Sequence, residues 1–100
     1  MRRYARVDEN QRDIVAALRA AGASVLHMHE LGRGAPDIAA GFRGENHFLE
    51  IKDGSKPPSA RRLTPKEREW HDAWQGQVAV VNTPEEALAA IGAIGDAPVG

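Results

Sequence analysis

The hydrophobic pattern of this chain has a helical period near its start, then alternates over short stretches, then returns to helical spacing twice. Ile14, Val15, Leu18 and Ala21 make the first stripe, behind Asp8-Glu9-Asn10-Gln11. This reads as a helix with Asp8 as N-cap, Gln11 in the capping-box position and Gly22 as its stop. A single apolar stripe has to bury against something, and a sheet is the expected partner. Ser24 to His29 reads as a first strand and Leu31 to Pro36 as a flexible loop bearing glycines. Asp37 to Phe42 is a second strand, Arg43-Gly44-Glu45-Asn46 a turn, and His47 to Lys52 a third strand, together a hairpin. Gly54, two prolines and three basic residues make Asp53 to Arg62 a surface loop.

Thr64-Pro65-Lys66-Glu67 is a helix start with Thr at the N-cap, Pro at N1 and Glu at N3. That helix extends to Trp74 or Gln75, and Gly76 ends it. Gln77 to Val81 is a short strand rich in β-branched residues, and Thr83-Pro84-Glu85-Glu86 opens a last helix that closes near Ile91. The predicted order is α-β-β-β-α-β-α. It divides the chain into a loose basic arm over 1–7, one domain over 8–92, and a flexible tail over 93–100.

One hundred residues suffice for one small core. A hydrophobic share of 42% and a charged share of 27% are ordinary for a soluble globular chain. There is no cysteine, which removes disulfides and thiolate zinc sites. No apolar run follows Met1-Arg2-Arg3-Tyr4, and none approaches a membrane span, so a cytoplasmic protein is the simplest expectation. The net charge of −1 hides an asymmetry. All 13 Lys and Arg lie at or before Arg68, with 9 acids in that span, and the 5 acids beyond it have no basic companion. A basic face on a nearly neutral protein fits this, and so does solvated charge with an acidic last helix.

The chemistry concentrates in Pro36-Asp37 and Glu50-Ile51-Lys52. On a strand, Glu50 and Lys52 share a face while Ile51 turns opposite, and Asp37 comes from the neighbouring strand. Two converging carboxylates are a hard oxygen site suited to Mg²⁺, with a lysine beside it. The bland alternative for the same three residues is a surface ion-pair ladder on a hairpin.

Gly34-Ala35-Pro36-Asp37-Ile38, Phe48-Leu49-Glu50-Ile51-Lys52 and Leu63 to His71 together resemble the PD-(D/E)xK nuclease superfamily. More narrowly they resemble its VRR-NUC branch, in the small stand-alone form of phages and bacteria, over residues 8–91. The resemblance implies an α/β, restriction-endonuclease-like fold: an α-β-β-β-α-β core with a mixed sheet, followed here by a C-terminal helix. It implies that Asp37 and Glu50 bind Mg²⁺ (or Mn²⁺), with the backbone carbonyl of Ile51 as a further ligand. It implies that Lys52 orients or deprotonates the attacking water and helps neutralise the phosphate. Two positions depart from the family pattern. Gln11 stands where many relatives carry a supporting glutamate on the first helix, and it serves equally as a cap. Glu67 stands where relatives place glutamine; it could add a carboxylate to the site or act only in the capping box.

The implied activity is a metal-dependent endodeoxyribonuclease leaving 5′-phosphate and 3′-hydroxyl ends. Small relatives act on branched DNA, including four-way (Holliday) junctions, and the expected location of this protein is the cytoplasm of a bacterial host cell or its nucleoid. At this size a homodimer with two active sites is expected. Arg33, Lys56, Arg61 and Arg62 are the candidate phosphate contacts from the loops bordering the site, with Arg2, Arg3 and Arg6 reaching further. No base-reading helix is evident, so DNA shape rather than sequence is the expected target. His27 and His29 share a strand face without the third ligand a zinc site needs; the cleft edge or plain surface is their place. Trp70 and Trp74 are read as core rather than stacking platforms. Two rivals remain: a non-catalytic DNA-binding scaffold that keeps the nuclease fold, and a restriction-type endonuclease.

Overall fold

The structure, a computed structural model, describes the backbone over residues 2–95 and side chains over residues 9–95. The regular elements follow the expected order: α1 Arg2–Ala20, β1 Ser24–His27, β2 Ile38–Phe42, β3 Glu45–Ile51, α2 Pro65–Ala73, β4 Val78–Val81 and α3 Pro84–Ala90. Short 3-10 turns occupy His29–Leu31 and Pro58–Arg61.

Two boundaries are corrected. The first helix begins at Arg2 rather than at an Asp8 cap, so the backbone expected to be loose is helical. The reason is composition: Arg2 to Val7 contains no glycine or proline, and Arg, Tyr and Ala are all compatible with a helix interior. The contacts expected of Arg3 and Arg6 lie outside the described side chains. His29 leaves the first strand and opens a 3-10 turn, because Met28 has already left extended geometry (φ −125°, ψ 6°). At the other end Ala93 packs on the core, and residues 96–100 lie outside the described chain.

The four strands form one mixed sheet in the order β1-β2-β3-β4. β1–β2 and β2–β3 are antiparallel, and β4 runs parallel to β3. A parallel neighbour needs a crossover, and the segment containing α2 supplies it. The hairpin closes through Arg43 and Gly44, both at positive φ (53° and 82°), as a tight two-residue turn requires. The Arg43 guanidinium lies over the Phe42 ring, 4.8 Å from its centre.

Alternation along the strands divides the interior. Ile38, Ala40, Leu49, Ile51 and Val81 face the core made with Ile14, Val15 and Leu18 of α1 and Ala87 and Ile91 of α3. Phe48 faces the other way and meets Trp70 and Trp74, with ring centres 5.9 and 4.9 Å distant. These indoles are satellites of the core rather than members of it, and Trp74 is exposed. Glu50 shares the Phe48 side of β3, so the acid emerges under α2.

Candidate active site

Asp37 directly precedes β2. Its N–H donates to the Leu49 carbonyl at 3.1 Å, and its own carbonyl accepts from the Met28 N–H at 2.8 Å. Pro36, fully buried, fixes the approach to it. With its main chain held by both neighbouring strands, the side chain reaches across: Oδ2 accepts the Ile51 N–H at 2.8 Å. This bond seats the aspartate against the backbone of the strand that carries Glu50 and Lys52.

The loop before Asp37 is fitted to α2. Gly32, Arg33 and Gly34 all have positive φ, at 66°, 57° and 84°. Gly34 lies directly against the Lys66 carbonyl, where any Cβ would collide with backbone. The close approach sets the start of α2 over the site. There Thr64 and Glu67 form a complete capping box: the Thr64 hydroxyl accepts from Glu67 N–H at 3.2 Å, and Glu67 Oε1 accepts from Thr64 N–H at 2.9 Å. The same Oε1 takes Lys52 Nζ at 2.8 Å, while Glu50 Oε2 lies 3.7 Å from that ammonium. Capping and site chemistry, separate readings of Glu67 in the sequence, are one arrangement in space.

Glu50 is the electrostatic centre. Its residue is 4% exposed, and Oε1 is buried without a hydrogen-bond partner among the described residues. Burial, then the negative charges of Asp37 and Glu67, push its carboxyl from the ordinary 4.5 up to about 9, against the pull of Lys52. Asp37 is close enough to share a hydrogen bond with the protonated form. For Glu67 burial acts upward, but hydrogen bonds from Lys52 and from the Thr64 amide outweigh it and hold the carboxyl below its usual value. His71, one turn along α2 from Glu67, is pushed down by burial, and its Nε2 has no partner.

The donor set fits a divalent cation. Two carboxylates repel each other in partly dehydrated surroundings, one oxygen is orphaned, and a cation between them would relieve both. Among the described residues no cage of three or more His, Cys, Asp or Glu exists. Mg²⁺ needs none, since one or two carboxylates with water and phosphate oxygens complete its octahedron.

The structure thus brings Asp37, Glu50, Ile51, Lys52 and Glu67 together. Gln11 lies on the α1 side of the sheet, its Nε2 3.4 Å from Nδ1 of His27, the residue paired with Ile38 beside Asp37. Arg33, Lys56 and Arg62 are exposed on the flanking loops, and Arg61 Nε donates to the Lys56 carbonyl at 2.7 Å. Asn10 of α1, which the sequence reading passed over, hydrogen-bonds just beyond the end of β3. Its Nδ2 donates to the Lys52 carbonyl at 2.8 Å and approaches the Asn82 carbonyl at 3.4 Å, tying α1 to the ends of β3 and β4. Its signal was hidden because a polar residue in a presumed capping sequence already had an explanation.

No protein-family model and no curated protein matches the chain. A solved structure described as a VRR_NUC domain does: 24% identity, 86% of this chain and 94% of that chain covered, with a TM-score of 0.65. The fold is therefore that of a VRR_NUC domain, as the motif resemblance implied.

Proposed function

We propose that this chain, built on the VRR_NUC fold, is a metal-dependent endodeoxyribonuclease selective for DNA structure, with branched DNA such as four-way junctions as its substrate. One observation carries the reading: Asp37 and Glu50 converge beside Lys52, where the buried Glu50 Oε1 lacks a partner among the described residues. Mg²⁺ held by Asp37, Glu50 and the Ile51 carbonyl, with Mn²⁺ as substitute, would acidify water and stabilise phosphate charge. Lys52 holds its ammonium between two acids, where it orients the attacking water and neutralises the scissile phosphate. Glu67 positions Lys52 through their 2.8 Å bond.

Arg33, Lys56 and Arg62 stand where phosphates flanking the cut would pass, and Arg61 braces its loop. Two copies of a domain this small would present paired sites to a branched substrate. No helix among the described residues is long and apolar enough to cross a membrane. The bacterial cytoplasm, where DNA is accessible, is the proposed location.

The test is cleavage of supercoiled plasmid, linear duplex and a synthetic four-way junction with Mg²⁺, Mn²⁺ or EDTA. Asp37→Ala and Lys52→Ala should abolish cutting while circular dichroism remains native. Wild-type activity in either variant overturns the assignment. DNA binding without metal-dependent cutting supports the scaffold instead, and cutting at one defined sequence supports a restriction-type enzyme.

A further inference from the structure

Between α1 and β1, on the side of the sheet away from α2, runs a groove of about 460 Å³. Arg12, Arg19, Gln11, His27 and His29 line it, with Val15 among its apolar walls. Among the described residues no carboxylate lines it, and neither arginine is ion-paired with one. Both arginines are exposed, so their charge is held open to solvent rather than used in the fold. Gln11 Nε2 lies 3.4 Å from His27 Nδ1 at the mouth of this groove. Such a lining offers donors and positive charge without a competing acid.

We propose that this groove binds the phosphodiester backbone of DNA beyond the scissile phosphate. The inference rests on the nuclease reading and extends its substrate path to residues the motif does not include. Arg12 and Arg19 fall two turns apart on one helix face, about 10.5 Å along the axis. A strand presents a phosphate every ~3.4 Å of duplex axis, so this spacing matches a run of phosphates rather than one small anion. The groove also adjoins the site. His27 pairs with Ile38, the residue after Asp37, and the next residue along, Met28, donates its N–H to the Asp37 carbonyl. The groove lies on the opposite face of the sheet from the carboxylates, so a strand reaches it by rounding the start of β2.

The experiment measures DNA binding by fluorescence anisotropy on the full chain, with Ca²⁺ replacing Mg²⁺, across a salt series. Arg12→Ala and Arg19→Ala should each weaken binding about threefold to tenfold and flatten the log–log salt slope by about 0.9. The double variant should lose about 1.8, and Lys at both positions should restore it. Arg43→Ala removes the same charge at the far hairpin and should change neither quantity. If the double variant keeps wild-type affinity and slope while the wild type binds and cuts, the groove proposal fails and the nuclease reading stands. An equal loss in Arg43→Ala also overturns it, as does loss of pyrophosphate-induced thermal stabilisation in the double variant with DNA binding intact, which would mark a small-anion site. A wild type that neither binds nor cuts DNA removes both proposals together.

Discussion

Lys52 and Glu67 meet through a single oxygen: Glu67 Oε1 accepts the lysine ammonium at 2.8 Å while also closing the cap of α2 at the Thr64 amide. The position of the lysine and the integrity of the helix start are therefore coupled. Glu67→Gln keeps a carbonyl oxygen for the cap but removes the charge. Its expected outcome is a DNA cleavage rate lowered about tenfold with stability reduced by about 1 kcal/mol, because the largely buried ammonium exchanges a charged acceptor for a neutral one. Glu67→Ala loses the capping oxygen too and should destabilise by about 0.5–2 kcal/mol in denaturant titration. Equal rates in Glu67→Gln and the wild type would show that Lys52 does not depend on this contact.

Glu50 makes the metal-free protein sensitive to pH. Its folded carboxyl is raised from 4.5 to about 9, so the folded state keeps a proton that the unfolded chain has released. The associated stability is complete below 4.5 and is lost as pH rises through about 9. Glu67 is shifted the opposite way, so its stabilisation is present above the ordinary carboxylate range and lost in acid. His71, lowered from 6.5, destabilises only at and below that value. Between about pH 7 and 8.5 Glu50 therefore dominates, and stability in EDTA should fall by at most about 1.4 kcal/mol per pH unit. Urea unfolding at several pH values checks this. Glu50→Gln should flatten the dependence, and saturating Mg²⁺ should reduce it by giving the ionised carboxylate a partner. An unchanged slope in Glu50→Gln would remove Glu50 as its source.

Gly34 joins the loop before Asp37 to the start of α2. Gly34→Ala places a methyl group against the Lys66 carbonyl at φ 84°, where both the space and the backbone conformation oppose it. A loss of about 2 kcal/mol or more, read from thermal unfolding, is expected, with reduced cleavage because α2 carries Glu67. Gly44→Ala at the hairpin has a comparable φ of 82° but open space. It should lose less stability and leave the cleavage rate unchanged. Equal losses in the two variants would mean that backbone strain alone, not the contact with α2, governs Gly34.

The element order and the central constellation were legible because they rest on local rules. Strand alternation put Glu50 and Lys52 on one side, and two Thr-Pro starts fixed α2 and α3. What stayed hidden depends on long-range packing. Asn10 looks like part of a cap until Lys52 and Asn82 arrive from elsewhere in the chain. The start of α1 was misplaced because a good capping sequence can also lie inside a helix. Trp70 and Trp74 looked like core by residue type, but α2 is too short to cover its face of the sheet, and Trp74 remains exposed.

The two indoles stack with ring centres 4.7 Å apart, and the chain has no others. All of its tryptophan emission thus arises from α2 and the residue that caps it, while the main interior is optically silent. The spectrum will follow the seating of that one helix on the Phe48 side of the sheet. A ligand that draws Lys52 away from Glu67 has a built-in reporter one turn further along.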